Sequence, residues 1–179
     1  MYEGEITVRP TRREDLENVR ALWNDGDVMK FVGFPEGFDE TAESMKRWFE
    51  RIESNRPLLN HFSVFAEGLG YCGESFYHID AKHGNAAALD IKLFSKARGR
   101  GIAAKALQYA IERAFANGAA CVWVDPNPEN EKALALYRRL GFCERETPAY
   151  LAQDEVFGGC PALYFEISRE AFLSSKPAE

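Results

Sequence analysis

Apolar residues recur along this chain in two rhythms, and the change from one to the other outlines the fold. Ile6 to Arg9 alternates as a short strand, and Thr11 followed by Glu14 is spaced as a capping box for a helix with Leu16, Val19, Leu22 and Trp23 on one face. A loop through Asp25, Gly26, Gly33, Pro35 and Gly37 leads to a second helical pattern, where Ala42, Met45, Phe49 and Ile52 share a face until Asn55 and Pro57 end it. From His61 the period becomes two. Phe62, Val64 and Ala66 alternate, Gly68-Leu69-Gly70 turns, Tyr71 to Asp80 resumes, and His83-Gly84-Asn85 turns again into a strand over Ala88 to Phe94. That third strand places Leu89, Ile91 and Leu93 on one face and Asp90 and Lys92 on the other.

The helical rhythm then returns. Ala103, Ala106, Leu107, Ala110, Ile111, Ala114 and Phe115 line one face of a helix closed by Asn117-Gly118. Cys121 to Val124 reads as a buried strand, Asn130 to Leu140 as a helix stopped by Gly141, and Ala162 to Ser168 as a last strand before a short polar tail. The order β, α, α, three antiparallel strands, α, β, α and final strands predicts a mixed α/β sheet domain. No repeat or linker divides it, so a single domain is expected over residues 1–179, with its core over about residues 5–170.

Composition narrows the class without naming a function. A chain of 179 residues can bury roughly two-thirds of the surface its unfolded form exposes. Its 46% hydrophobic and 28% charged residues exclude a disordered or fibrous chain. With 22 basic against 28 acidic residues, the net charge of -6 offers no general attraction to nucleic acid or anionic membranes. Cys72, Cys121, Cys143 and Cys160 form no CxxC and fall mostly in strand patterns, so buried free thiols in a reducing compartment are expected. With neither a signal-peptide pattern nor a run of about 18 apolar residues, the expected location is the cytoplasm.

The chemistry concentrates where the third hairpin strand meets the long helix. A strand, a turn with Gly99 and Gly101, and an apolar helix put unpaired backbone N–H groups at a helix start, where the dipole also favours an anion. Arg98 and Arg100 add positive charge beside it, so a phosphate or pyrophosphate is the expected ligand, with a plain strand-to-helix connection as the alternative. Gly99, Gly101 and Ala104 also satisfy the dinucleotide fingerprint G-x-G-x-x-A, with Asp125 as a ribose-binding acid. Context speaks against that reading: Ser95, Lys96, Ala97 and Arg98 separate the strand from the turn, and the preceding strands are hairpins.

Arg98-Gly99-Arg100-Gly101-Ile102-Ala103 resembles the R/Q-x-x-G-x-G/A signature of the GNAT N-acetyltransferase superfamily. Asn130-Glu131-Lys132-Ala133-Leu134-Ala135-Leu136-Tyr137-Arg138-Arg139-Leu140-Gly141-Phe142 is similar to that family's second motif, N-x-x-A-x-x-L-Y-x-x-x-G-F. Trp23-Asn24-Asp25 and Thr41 to Trp48 look most like ribosomal-protein N-terminal acetyltransferases and aminoglycoside 6′-N-acetyltransferases. The resemblance implies a mostly antiparallel central sheet flanked by helices. It also implies acetyl-CoA as cosubstrate, with its pyrophosphate at Arg98, Gly99, Arg100, Gly101, Ile102, Ala103 and Ala104. The strand ending in Leu93 and Phe94 would splay from Cys121–Val124 and line pantetheine, a backbone N–H near Leu93 serving as oxyanion donor.

Direct acetyl transfer to a primary amine needs an aligned thioester, an amine without its extra proton, and a proton for the departing thiolate. The resemblance makes Tyr137 the general acid and gives Asn130 a pantetheine contact; a core tyrosine and a helix N-cap are the respective alternatives. Three carboxylates are candidate bases. Asp125 lies in a stretch similar to the D-P-x-P-x-N of aminoglycoside acetyltransferases, Asp90 lies on the strand leading to the turn, and Glu74 follows Gly73 in the middle hairpin strand. A turn initiator is the other reading of Asp125, and a solvated or Lys92-adjacent charge that of Asp90.

His61, His78 and His83 lack metal-ligand spacing, so no metal is expected, and hydrolase and nucleotide-triphosphatase motifs are absent. Asp25, Asp27, Glu36, Asp39, Glu40 and Glu43 flank a loop that in the family forms part of the acceptor rim; a solvated loop explains them equally simply. The expected partner is therefore a small-molecule or peptide amine, with no nucleic acid and no membrane, and a homodimer is left open. A module that binds acyl-CoA without catalysis is the alternative from another functional class.

Overall fold

The computed structural model describes residues 2–152 and 162–175. Its elements are β1 (Ile6–Pro10), α1 (Leu16–Trp23), α2 (Gly26–Met29), α3 (Ala42–Asn55), β2 (Leu59–Ala66), β3 (Gly70–Asp80) and β4 (Ala86–Leu93), followed by α4 (Ile102–Ala116), β5 (Cys121–Val124), α5 (Glu131–Arg139), β6 (Cys143–Arg145), α6 (Ala149–Ala152), β7 (Tyr164–Ser168) and α7 (Arg169–Ser175). The strands form one seven-stranded sheet in the order β1-β2-β3-β4-β5-β7-β6. Every neighbouring pair is antiparallel except β4 and β5, which run parallel.

Period-two patterning divides the hairpin strands between two helical layers. Phe62, Tyr77, Ile79, Leu89, Val122 and Val124 face α4, whose Leu107, Ala110, Ile111 and Ala114 are buried against them. On the opposite face, α1 and α3 bury Val19, Leu22, Met45, Trp48, Phe49 and Ile52 around Tyr71, with Trp23 and Phe65 packed alongside. The charged residues of β3 and β4 lie on this second face, between α1 and the parallel strand pair.

The expected elements are present, with corrections at their ends. The helix before β2 starts as anticipated, with Thr41 Oγ1 accepting from Ser44 N at 3.1 Å and Ser44 Oγ accepting from Thr41 N at 2.9 Å. The capping box expected at Thr11 and Glu14 does not form. Thr11 prolongs the β1–β2 ladder through its amide to His61 O at 2.8 Å, which turns its hydroxyl to Ser63 Oγ at 3.1 Å. Asp15 takes over, accepting from Arg12 N at 2.9 Å and from both guanidinium nitrogens of Arg9 at 2.7 and 2.8 Å. The loop after α1 contains α2, and the polar tail expected after Ser168 begins as a helix that buries Phe172. Cys72 is buried as expected, but Cys121 is only half-buried and Cys143, on edge strand β6, is exposed; Cys160 lies outside the described residues.

Asp15 links β1, β2 and the start of α1, since Ser63 Oγ also donates to it at 3.0 Å. Burial would raise its carboxyl, but the bonds from Arg9, Arg12 N–H and Ser63 outweigh burial and hold it below the usual carboxylate range. A lowered folded-state value means stability present above the unfolded pKa of about 3.9 and lost as pH falls through the folded one. Asp15→Ala is expected to cost about 3 kcal/mol by urea unfolding, because it strands Arg9 and a strand hydroxyl. Acid unfolding of the variant should be correspondingly less steep.

Candidate active site

The glycine turn has the geometry an anion needs. Gly99 and Gly101 adopt φ of 74° and 82°, the left-handed region that an L side chain resists. A Cβ built on Gly99 meets nothing within 4 Å, so the space outside that backbone is open. α4 begins at Ile102 with Gly101 as N-cap, leaving the first amides of the helix without intrahelical acceptors and the positive end of its dipole facing that space. Ile102 is buried and Ala103 and Ala104 are half-buried, so small or inward side chains keep the approach clear.

The arginines do something other than flank a phosphate. Arg100 donates through Nε to Lys96 O at 2.9 Å, closing the turn on itself. Arg98 donates through Nε to Leu93 O at 2.9 Å and through its other nitrogens to Asp27 Oδ2 at 2.9 Å and Asp27 O at 3.2 Å. Beside the charge it brings to the turn, the Arg98 guanidinium thus fastens α2 to the end of β4.

The parallel strands part just before this turn. β4 and β5 pair only at Ala86–Cys121, Ala87–Val122 and Ala88–Trp123, although β4 continues to Leu93. Pro126 follows Asp125 and has no N–H to extend the ladder, and its carbonyl is taken by Leu163 N at 3.0 Å. On its other edge β4 stays paired to β3 as far as Gly73–Leu93, where a Cβ on Gly73 would lie 2.0 Å from Lys92 O. Backbone groups of Leu89 to Leu93 therefore face a gap instead of a strand. Phe94 N is taken by Cys72 O at 2.9 Å, so an oxyanion donor near Leu93 has to come from β4 itself. Leu93 is buried against Ile102 and Ala106, its side chain serving packing while its backbone borders the gap.

Tyr137, Asp90 and Asp125 lie close enough to feel one another's charge beside this gap, and Glu74 stands one strand away on β3. Tyr137 is buried and packs edge-on to Phe142 at 5.7 Å. Burial first, then the charges of Asp90 and Asp125, push its phenol well above its usual range, so it holds a proton at neutral pH. Glu74 is 1% exposed, and both its oxygens are taken, by Trp23 Nε1 at 2.6 Å and His61 Nδ1 at 3.0 Å. Asp90 receives Ile91 N at 2.6 Å on Oδ1 and the Lys92 ammonium on Oδ2.

Asp125 differs from both, because no other residue among those described hydrogen-bonds its carboxylate. It reaches solvent along a pocket of about 220 Å³ lined by Trp123, Thr147, Leu151, Leu163 and Tyr164, while protein crowds the carboxyl itself. That crowding, then repulsion by Asp90, raises the carboxyl to about 7, against the pull of its own amide and of Lys92. Asn130 Oδ1 caps α5 by accepting from Ala133 N at 3.2 Å, the alternative foreseen for it, which leaves its amide nitrogen for a ligand.

His61, Trp23 and Lys92 were missed as participants. The Glu74–Lys92 pairing was readable, since both lie on the polar face of adjoining hairpin strands. Trp23–Glu74 was not, because 51 residues separate them and only the packing of α1 on the sheet joins them. Among the described residues no group of three His, Cys, Asp or Glu is arranged to hold a metal ion.

A parallel strand pair that parts before a left-handed glycine turn, with a phenol and a carboxyl that no other described residue hydrogen-bonds at the opening, is an arrangement suited to an acyl-CoA-dependent N-acyltransferase. Residues 5–143 match the family model described as acetyltransferase (GNAT) domain, and the chain belongs to that family of acetyl-CoA-dependent N-acetyltransferases. Spermidine N(1)-acetyltransferase of Escherichia coli (strain K12) is 28% identical over 138 residues, covering 76% of this chain and 72% of that protein. The crystal structure of spermidine N-acetyltransferase from Vibrio cholerae in complex with CoA and spermine shares the fold with a TM-score of 0.76 at 19% identity, over 94% of this chain and 98% of that one. An N-acetyltransferase from Staphylococcus aureus Mu50 follows at 0.73 and 20% identity, over 92% and 98% of the two chains.

Gly99→Ala is expected to lose about 1–2 kcal/mol of stability from the left-handed backbone alone. Its acetyl-CoA affinity by calorimetry should fall at least about tenfold, because the new methyl occupies the approach to the turn amides.

Proposed function

We propose that this enzyme acetylates a primary amine of a small cationic metabolite, with Asp125 as proton acceptor and Tyr137 as proton donor. The supporting observation is the contrast among three carboxylates beside one gap: only that of Asp125 has no partner from another described residue, and it is raised to about 7. An alkylamine with a pKa near 10 is only about one-thousandth neutral at pH 7, so a nearby carboxylate that ionises just there is well matched to take its proton. The neutral amine attacks the thioester carbonyl and the carbon–sulfur bond breaks. The Tyr137 hydroxyl donates its proton to the departing thiolate, and Asp125 takes the proton the amine gives up. Acetyl-CoA supplies the activated acyl group; the turn amides hold its pyrophosphate and the β4 backbone aligns the carbonyl.

The spermidine acetyltransferases among the relatives support a polyamine-like acceptor. The acidic rim contributes less to that reading than its count implies. Asp25 caps α2, Asp27 is held by Lys30 and Arg98, and Glu40 accepts from Ser44, so these acids are used within the fold. The half-buried and exposed thiols Cys121 and Cys143 agree with a reducing, cytoplasmic setting.

The proposal is tested by following thiol release from acetyl-CoA with spermidine, a simple alkylamine, an aminoglycoside and an N-terminal peptide. Turnover on the small amines supports it, while tight acetyl-CoA binding without turnover on any acceptor would favour the non-catalytic alternative. In wild type, kcat/KM should rise with pH through an apparent pKa near 7, because the ionised carboxylate is the active form; Asp125→Asn should abolish that limb. Tyr137→Phe should lower kcat about 100-fold while acetyl-CoA affinity stays within a few-fold.

A further inference from the structure

A row of ionisable groups crosses the sheet face opposite α4, and its only cation, Lys92, has no part in the reaction as described. His61 on β2, Glu74 on β3, Asp90 and Lys92 on β4, and Asp125 after β5 occupy it in order, and Tyr137 of α5, packed on the α4 side, feels the charges of Asp90 and Asp125. Register explains the row. Glu74 stands directly opposite Lys92, and Phe76 stands between His61 and Asp90. The Lys92 side chain is only 10% exposed. Its ammonium is bonded to Asp90 and lies 5.6 Å from the centre of the Phe76 ring, which stacks on His61 on its other flank. Three carboxylates surround this one cation.

We infer that Lys92 is a positioning residue: by clamping Asp90 against β4 it removes the nearest competing carboxylate and leaves Asp125 as the one free to meet the acceptor. This rests on the reading of Asp125 as proton acceptor, but the two are separable. The clamp is geometric, since Asp90 Oδ2 is held by the ammonium and Oδ1 by Ile91 N at 2.6 Å, so both oxygens are fixed against β4. The same cation opposes the repulsion between Asp90 and Asp125. Burial alone would lower the Lys92 ammonium, but Asp90, Glu74 and Asp125 together raise it, so it remains a cation across the working range of the site.

Removing the charge should therefore act in two ways. Asp125 loses an attraction that favours its ionised form, so its titration moves upward. Asp90 loses its clamp and becomes a second proton acceptor. A surface-lysine deletion, screened by solvent, would instead leave the pH profile in place.

The test is a ¹³C NMR titration of aspartate carboxyls, with Asp125 assigned by its loss in Asp125→Asn, in wild type, Lys92→Met and Lys92→Arg. This readout does not depend on turnover. In Lys92→Met the Asp125 midpoint should rise by about one pH unit, and Lys92→Arg should restore it to near the wild-type value. An Asp125 midpoint that stays put in a folded Lys92→Met overturns the inference. If Lys92→Met does not fold, Lys92→Arg and Lys92→Gln decide it: a raised midpoint in the glutamine but not the arginine variant supports the inference, and equal midpoints overturn it. The kcat/KM profile of Asp125→Asn is run beside them. An acidic limb that survives in that variant sinks the proton-acceptor reading, whatever Lys92 does to the titration.

Discussion

The structure depends on a ladder that stops. β4 and β5 are parallel neighbours for three residue pairs and then separate, while β4 remains tied to β3 along its other edge. Unpaired backbone groups normally carry a cost when removed from water, so an open seam in the middle of a sheet calls for a partner. A ligand with an amide-bearing arm can supply one, and the glycine turn immediately beyond the seam supplies donors for that ligand's phosphates. The residues that open the seam are few: Pro126, which cannot continue the ladder, and Gly73, which lets β3 and β4 come close without a side chain between them.

The open seam also sets the electrostatics. Because β5 no longer covers β4, the polar face of the hairpin meets the end of β5, and acids from three segments fall within reach of one lysine. Placing like charges together is costly unless something separates their states. Here hydrogen bonding does so. Glu74 is occupied by an indole and an imidazole, Asp90 by an amide and an ammonium, and Asp125 is left without a donor from any other described residue. Bonding partners separate the three, and for Asp125 protein crowding around a carboxyl without such a partner raises it to about 7.

Much of this was legible in the residues. Period-two and helical patterning placed the three hairpin strands, the long helix after Gly101 and the helix of Tyr137, because each buries a regular apolar face. The turn was legible through Gly99 and Gly101, which the left-handed backbone requires. What escaped were features that depend on distant parts meeting. Asp15 displaced the Thr11–Glu14 capping box because Thr11 is drawn into the β1–β2 ladder, and Arg98 also bonds Asp27 of α2, a contact 71 residues apart in sequence. Three carboxylates could be named as candidates, but their ranking required the donors from Trp23, His61, Ile91 and Lys92.

The central claim is that the gap between Leu89–Leu93 and Val124 receives the acyl-CoA arm and presents its thioester to Asp125 and Tyr137. A crystal structure with acetyl-CoA tests it most directly. Pyrophosphate oxygens are expected on the amides between Gly99 and Ala104, the pantetheine arm bonded to the exposed edge of β4, and the sulfur within hydrogen-bond reach of the Tyr137 hydroxyl. Acetyl-CoA bound elsewhere, such as in the groove that Val8, Lys105 and Tyr109 line between β1 and α4, with the β4–β5 gap left empty, would contradict it.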